Sequence, residues 1–328
     1  DSNGSKLETR LKGAAADEHV VLMDHGSNQY LFEDVASQPR PSLNRGFSAP
    51  IRLVDDLTEL ERAALAGDDD DAFAQWEALQ TITRALILET VNGGAREPDQ
   101  TRLKAYVQSL RNSVSRASST DGAYAALLLY LPTVGELVLD VSDADPWAIH
   151  TVRLHMRRAI ARTLEDLLLS VIDRQEPARF DPSAHAAGRR ALRASALSLL
   201  SALGDRHEEL IAQAYRSAAT MTETLAALTA LSNIESEAFD TALKDFESRW
   251  SASPLVMDKW YGVQAMSVRD DLRERLQKLV ERPDYDLRNP NRVRSLAASF
   301  SMNIPVAFHT AEGWGYRFLA DLILKVDP

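Results

Sequence analysis

From about residue 56 to the end of the chain, apolar residues recur every three or four positions, and no strand-like alternation interrupts them. This spacing places apolar side chains on one face of each of many successive amphipathic helices. The clearest stripes occupy residues 156–171, 192–203 and 272–280. Their opposite faces carry Arg153, Arg157, Arg158, Arg162, Arg273, Arg275 and Lys278. Many helices with short links predict a mainly α protein, in which residues 56–328 form a superhelical array of antiparallel helices, similar to an α-solenoid.

Four of the expected helix starts share a capping side chain followed directly by proline. Such a side chain accepts hydrogen bonds from the first free N–H groups, and proline at the first helical position lacks an N–H that would be unpaired there. The pairs are Asp145-Pro146, Asp181-Pro182, Ser253-Pro254 and Asn289-Pro290. We therefore expect each pair to begin a helix.

Residues 1–55 follow a different pattern. Short apolar stretches at residues 7–11, 20–23, 30–32 and 47–53 are separated by turn signals, which predicts short antiparallel strands. About fifty residues are few for an independent sandwich, so we interpret residues 1–55 as the C-terminal part of a small β-sandwich domain. The chain starts with Asp and stops directly after an apolar helical pattern. We therefore expect a fragment of a longer protein, with its helical domain truncated at the end.

Composition narrows the classes of function. The chain has 328 residues, of which 45% are hydrophobic, enough for a sizeable core. A net charge of −11 argues against nucleic acid or an anionic membrane as a main partner. No apolar run is long enough to span a bilayer, and no signal peptide is evident. The lack of cysteine excludes disulfides and thiolate chemistry and fits a reducing compartment, so we expect a cytoplasmic protein.

No set of residues has the spacing of a known active site. His207-Glu208 begins like the zinc-protease motif H-E-x-x-H, but the fifth position is Ile211, which leaves a metal one ligand short. We interpret this charged stretch as a solvated helix face. The acidic run from Asp68 to Asp71 could form a cation site or a helix N-terminus whose dipole favours carboxylates, and we favour the helix N-terminus.

The stretch from residue 289 holds more polar and aromatic side chains than a plain amphipathic helix needs. It reads NPNRVRSL over 289–296 and continues with Phe300, Phe308, His309 and GWGYRFL over 313–319. Arg292 and Arg294 are two residues apart, so they point to different faces of a helix. One of them could bind a substrate carboxylate in a cavity, or tie neighbouring helices together in a salt bridge, and we favour the salt bridge. We interpret His309 as a structural histidine.

Several blocks of this sequence resemble the C-terminal part of the bacterial aminopeptidase N family. The LVMDKW segment at 255–260 and the NPNR segment at 289–292 are the most specific. Weaker matches are FSAP at 47–50, Phe73 with WEA at 76–78, Met221-Thr222 with AAL at 226–228, and Asn303 and Pro305 before Phe308. The resemblance covers nearly the whole chain.

This resemblance implies a zinc metallopeptidase that removes single N-terminal residues from peptides. In that family the zinc motif H-E-x-x-H with its distant Glu, and the G-x-M-E-N stretch that holds the free amine, lie in an earlier catalytic domain. Neither occurs here, so we expect this chain to bind no cofactor, to contain no catalytic or metal residue and to be inactive alone. Its partner would be its own upstream catalytic domain, which holds the zinc, and peptides would be the substrates.

The family's helical domain packs over the active-site cleft and restricts entry to short or unfolded peptides. Asn291, Arg292 and Arg294 are therefore candidates for lining that cavity. An alternative is a free-standing helical scaffold that binds protein partners. A third and weaker hypothesis is an unfamiliar enzyme built on Arg292, Arg294 and His309.

Overall fold

The structure is a computed structural model that describes residues 5–24, 26–51, 53–174, 180–302 and 307–326. The chain divides into two compact units, Asp1–Ile82 and Thr83–Pro328. This division falls within a long helix, and the domain boundary expected between residues 55 and 56 stays a prediction. The two units are described separately below.

The first unit contains a small antiparallel sheet of three strands, β1 (Thr9–Leu11), β2 (Ala14–Ala16) and β3 (Phe32–Glu33), in the order β2-β1-β3. A two-residue turn joins β1 to β2, and Leu11 pairs with Ala14. Lys12 and Gly13 both have positive φ, 49° and 83°, as a tight hairpin with right-handed strand twist requires. The turn signal that follows the predicted strand at residues 7–11 is thus the turn of a hairpin.

Two of the expected strands are wrong among the described residues. Residues 20–23 form no strand, and Val20 and Leu22 are 93% and 80% exposed. In the stretch 47–53, of which Arg52 lies outside the described residues, no strand forms either; the chain instead makes a 3-10 turn at Arg45–Phe47. An apolar run becomes a strand only where a neighbouring strand takes up its backbone N–H and C=O groups, and these runs have no such neighbour.

Helices make up almost all of the regular structure that follows. They are α1 (Glu59–Asp68), α2 (Ala72–Asn92), α3 (Gln100–Thr120), α4 (Gly122–Leu128), α5 (Val134–Leu137), α6 (Pro146–Thr163), α7 (Glu165–Ile172), α8 (Ala184–Leu200), α9 (Glu208–Arg216), α10 (Met221–Leu231), α11 (Glu237–Trp250), α12 (Pro254–Ala265), α13 (Leu272–Val280), α14 (Pro290–Ser301) and α15 (Trp314–Val326). Short 3-10 turns occupy Val138–Asp140 and Ser201–His207.

In the second unit, each helix packs chiefly against helices close to it in chain order. One row of contacts runs from α4 to α8, α10, α12 and α14, and a second links α9, α11 and α12. Local packing of this kind, repeated along the chain, is the pattern of a helical solenoid. It confirms the predicted array of helices preceded by a small antiparallel sheet.

The predicted apolar stripes form the core of this unit. On α6, the side chains of Ile149, Val152, Met156 and Ile160 are fully buried. The stripe predicted over residues 156–171 is divided between two helices, because α6 ends at Thr163 and α7 begins at Glu165. No helix of the described residues is both long enough and apolar enough to cross a bilayer.

Three of the four proline pairs begin a helix as predicted. The side chains of Asp145 and Asn289 accept hydrogen bonds from N–H groups in the first turns of α6 and α14. Ser253 precedes α12 without a side-chain cap bond. The fourth expectation is wrong, because α8 begins after Ser183, whereas Asp181 accepts a hydrogen bond from the Ser183 N–H at 2.8 Å and closes a turn before the helix.

Candidate functional site

The two most specific sequence blocks, LVMDKW and NPNR, meet at the side chain of Arg292. This residue lies in the first turn of α14 and is only 4% exposed. Its Nε donates to Oδ1 of Asp258 on α12 at 2.6 Å, and its guanidinium lies over the ring of Tyr261, 4.7 Å from the centroid. Asn289 accepts from the Arg292 backbone N–H at 3.3 Å, which fixes where α14 begins.

The remaining donors of Arg292 reach two other parts of the chain. Nη1 donates to the backbone oxygen of Asp284 at 2.7 Å and lies 3.4 Å from its carboxylate, and Nη2 donates to the backbone oxygen of Pro254 at 3.2 Å. We call Arg292, Asp258, Asp284, Pro254 and Tyr261 the Arg292 cluster. The forked guanidinium thereby joins the start of α14, the start of α12 and the loop before α14. Its donors serve the fold, as in the salt-bridge interpretation.

The other two candidates for cavity lining differ from Arg292 in exposure. Asn291 and Arg294 are both exposed, on other faces of α14. The structure therefore separates the three residues into one that is committed to internal contacts and two whose side chains are exposed. That any of them lines a cavity stays a prediction.

Aromatic side chains pack together after α14. Phe300 contacts Phe308, Trp314 and Phe318 at ring separations of 5.3 to 5.6 Å. Gly315 touches the backbone of Phe308 so closely that a Cβ there would lie 2.5 Å from its carbonyl oxygen. Glycine at position 315 thus has a packing reason. Asn303 and Pro305, which belong to the same sequence block, lie outside the described residues.

His309 takes part in this packing. Its Nδ1 lies 2.5 Å from the Tyr316 hydroxyl, and its backbone oxygen accepts a hydrogen bond from the Trp147 indole N–H at 3.1 Å. Partial burial lowers the pKa of His309 below its usual value. These contacts confirm the interpretation of His309 as a structural residue.

The interpretation of His207 as part of a solvated face is wrong. Its side chain is only 11% exposed, and its Nε2 lies 2.8 Å from Oε1 of Glu165 at the start of α7. Arg206 pairs with the same carboxylate at 2.9 Å. Glu165 precedes His207 by 42 residues, so no local sequence pattern could indicate this contact.

The acidic run before α2 is a helix N-terminus, as predicted. Asp71 accepts a hydrogen bond at 2.8 Å from a backbone N–H in the first turn of α2. Arg45 pairs with Asp69 at 2.9 Å and with Asp70 at 2.7 Å. Hydrogen bonds from Lys6 and Arg45 lower the pKa of Asp70 to about 2. Within the described ranges, no group of three His, Cys, Asp or Glu side chains could hold a metal ion.

A cavity that the sequence patterns do not indicate lies within the second unit. It opens to solvent, has a volume of about 480 Å³ and is bounded by α6, α8, α10 and the end of α4 with the loop that follows. Arg153 and Arg157 of α6 line it, together with apolar side chains and several hydroxyl groups. We call this space the basic cavity.

Both arginines of the basic cavity are half-buried. Arg153 donates to the backbone oxygens of Pro132 at 2.6 Å and Leu131 at 3.3 Å. Arg157 donates to the backbone oxygen and the hydroxyl of Ser198 at 2.6 and 3.1 Å. In the sequence, the i, i+4 spacing of Arg153 and Arg157 indicates that both lie on one side of α6.

Three kinds of comparison agree on the relatives of this chain. The family model described as "Domain of unknown function (DUF3458_C) ARM repeats" matches residues 59–328. Aminopeptidase N of Caulobacter vibrioides is 38% identical over 315 residues, which are 95% of this chain and 36% of that protein. Aminopeptidase N of Escherichia coli is 29% identical over 327 residues, which are 99% of this chain and 37% of that protein.

The comparison of structures gives the same result. The crystal structure of Legionella pneumophila aminopeptidase A in complex with aspartic acid matches with a TM-score of 0.78 and 27% identity, over 100% of this chain and 38% of that one. The chain thus spans less than two fifths of the length of these relatives. It belongs to the DUF3458_C family of ARM repeats, and over nearly its whole length it resembles the C-terminal part of bacterial aminopeptidase N.

Proposed function

We propose that this chain is the C-terminal region of a zinc aminopeptidase, and that its helical array restricts the access of peptides to an active site in an upstream domain. The observation that carries the proposal is the match of almost the entire chain to the C-terminal part of aminopeptidase N. In this proposal the upstream domain is the partner, peptides are the substrates, and the location is cytoplasmic, which the lack of cysteine supports.

The chemistry of the residues supports a role without catalysis. In the described ranges no set of three metal-binding side chains converges, so these residues do not fit a zinc ion. The arginine of the NPNR segment is committed to the Arg292 cluster. We therefore assign both zinc binding and peptide cleavage to the longer protein.

The first test compares this chain with the longer protein that contains it. Both would be purified, their zinc content measured by mass spectrometry, and hydrolysis of leucine p-nitroanilide followed by absorbance. We expect stoichiometric zinc and turnover from the longer protein, and neither from the chain. Turnover by the chain at a comparable kcat/KM would refute the proposal.

Restricted access has a separate test in the longer protein. Asn291→Ala and Arg294→Ala change exposed side chains of α14 and should leave the fold intact. If these residues face the cavity, KM for peptides should change with peptide length while kcat for leucine p-nitroanilide stays constant. Arg288→Ala is the matched control, because Arg288 is also exposed and pairs locally with Asp286. Identical behaviour of the three variants would remove both residues from the cavity wall.

A further inference from the structure

The basic cavity joins two cationic groups to an apolar wall. Arg153 and Arg157 lie one helical turn apart on α6. Leu129, which directly follows α4, and Leu225 of α10 belong to the apolar wall. Thr222 adds a hydroxyl group at the start of α10. A volume of about 480 Å³ suits a small organic molecule.

Neither guanidinium forms a salt bridge with a carboxylate of the described residues. Among the described residues, the hydrogen-bond partners of Arg153 and Arg157 are three backbone oxygens and the Ser198 hydroxyl. Burial lowers the pKa of Arg153, and the charge of Glu136 opposes this effect without a hydrogen bond between the two side chains. The Glu136 carboxylate accepts hydrogen bonds from Thr133 and from the Tyr130 hydroxyl instead. Among the described residues Arg157 thus has no carboxylate partner, and Arg153 has only the more distant charge of Glu136.

The arginines also keep unused donors. A guanidinium has five N–H groups, and the bonds above engage at most two on each, so about three N–H groups of each have no partner in the described part of the chain. Burial and the nearby charge of Arg153 lower the pKa of Arg157 to about 10. Burial lowers the pKa of His150 on the adjacent turn of α6, and the charges of Arg153 and Arg157 add to this effect.

We propose that the basic cavity is a binding site for a carboxylate that carries a small apolar group. The carboxylate would accept hydrogen bonds from the free donors of Arg153 and Arg157 and supply the missing negative charge. The apolar group would lie against Leu129 and Leu225. This site is independent of the peptidase function proposed above.

Holding backbone carbonyls does not account for this arrangement. Arg174 donates to the backbone oxygen of Ser118 at 2.8 Å, and Arg193 donates to that of Ile172, so single arginines perform that task elsewhere in the unit. Two arginines lining one cavity, with spare donors and no carboxylate, go beyond what such contacts require. A carboxylate bound there would offer two oxygens to these donors.

Calorimetric titration of the 328-residue chain with N-acetyl-L-leucine tests the proposal. N-acetyl-L-leucinamide is the matched neutral probe, because it differs only in lacking the charged carboxylate. We expect the acid to bind and the amide to bind at least about tenfold more weakly, since charged hydrogen bonds are lost. Equal affinity for the two, or tighter binding of inorganic phosphate than of the acid, would overturn the proposal.

Two variants locate the binding. Arg157→Gln should weaken binding of the acid by about tenfold or more, whereas Arg158→Gln should leave it unchanged, because Arg158 is exposed on the same helix and donates to Ala202 instead. Ala226→Leu keeps both arginines but fills the cavity from α10, and it should also abolish binding. If Arg157→Gln disturbs the fold, as circular dichroism would reveal, Ala226→Leu decides. Binding unaffected by Ala226→Leu would exclude this cavity.

A free acid and the C-terminus of a peptide carry the same group, and one further comparison distinguishes them. A pentapeptide ending in leucine would be titrated beside the same peptide with a C-terminal amide. If the peptide with a free C-terminus binds and the peptide amide does not, the site also accepts the C-termini of peptides. Binding of N-acetyl-L-leucine without either peptide would restrict it to small free acids.

Discussion

Two arginine sites in the second unit use the same side chain in opposite ways. In the Arg292 cluster, the guanidinium meets the carboxylate of Asp258 and approaches that of Asp284, so its charge is matched within the fold. In the basic cavity, Arg153 and Arg157 meet only uncharged oxygens. The difference teaches that burial alone does not define the role of an arginine. The carboxylate contact commits Arg292 to the fold, whereas in our proposal Arg153 and Arg157 are available to a ligand.

Uncharged oxygens are common partners in this array for a simple reason. The last four carbonyls of each helix have no intrahelical donor, and they carry the negative end of the helix dipole. Arg193 of α8, for example, donates to the backbone oxygen of Ile172, the last residue of α7. Arginine from a neighbouring helix can therefore stabilise a helix end without any carboxylate.

The largest expected effect belongs to the Arg292 cluster. Arg292→Met should lower the free energy of unfolding by ~3–5 kcal/mol, because Asp258, whose side chain is only 15% exposed, loses its buried counter-charge. Urea denaturation of the 328-residue chain measures this change. Arg294→Met is the matched control on the exposed face and should stay within ~0.5 kcal/mol of the native chain. Equal losses of unfolding free energy in Arg292→Met and Arg294→Met would show that the contact of Arg292 with Asp258 does not stabilise the fold.

The contact between α4 and α8, which both border the basic cavity, gives the next largest effect. A Cβ on Gly188 would lie 2.8 Å from the backbone nitrogen of Ala123, and one on Gly122 would meet Gly188 as closely. Gly188→Ala should therefore cost ~1–3 kcal/mol in thermal or urea unfolding, because the helices must separate. In Gly135→Ala the nearest atom is 3.9 Å away, so that control should be neutral or stabilising.

Arg157→Met should cost less than Arg292→Met, about 1–2 kcal/mol in the same urea experiment. The substitution leaves the Ser198 carbonyl without its donor, but it strands no carboxylate and relieves the repulsion with Arg153. A loss of unfolding free energy as large as that of Arg292→Met would indicate a counter-charge for Arg157. It would contradict the proposal that the basic cavity binds a carboxylate.

The smallest effect is expected for Arg111 and Asp166, an exposed ion pair that belongs to neither arginine site. Arg111 makes a forked contact with Asp166 at 2.6 and 2.8 Å, and hydrogen bonds from Arg111 lower the pKa of Asp166 to about 2. The Asp166 side chain is 69% exposed, so Arg111→Ala should cost less than ~1 kcal/mol near neutral pH.

The sign of its pH dependence follows from the lowered pKa. The contribution of this pair is complete above the pKa of an unfolded aspartate, ~4, and is lost as pH falls toward about 2. The difference in unfolding free energy between the native chain and Arg111→Ala should therefore shrink across that window. If the difference in unfolding free energy grew as the pH falls, the predicted sign of the pH dependence would be wrong.

The helical architecture was predictable because its signals are local. The apolar stripe of α6 and the cap at Asp145 each depend on residues within a few turns of one another. The sequence left two alternatives for Arg292, since only the position of Asp258, 34 residues earlier, decides between them. The basic cavity escaped prediction for the same reason: Ser198, the partner of Arg157, is 41 residues away.

The Arg292 cluster also has a consequence for how the array opens. In a helical solenoid, stability is shared between neighbours, and unfolding can start at any weak junction. Arg292 reaches back to Pro254, 38 residues earlier, and so closes the chain from the first residue of α12 to the first turn of α14 into a loop. Local opening within α12 to α14 must break this closure, so the backbone amides of these three helices should exchange with solvent deuterium together, as one cooperative segment.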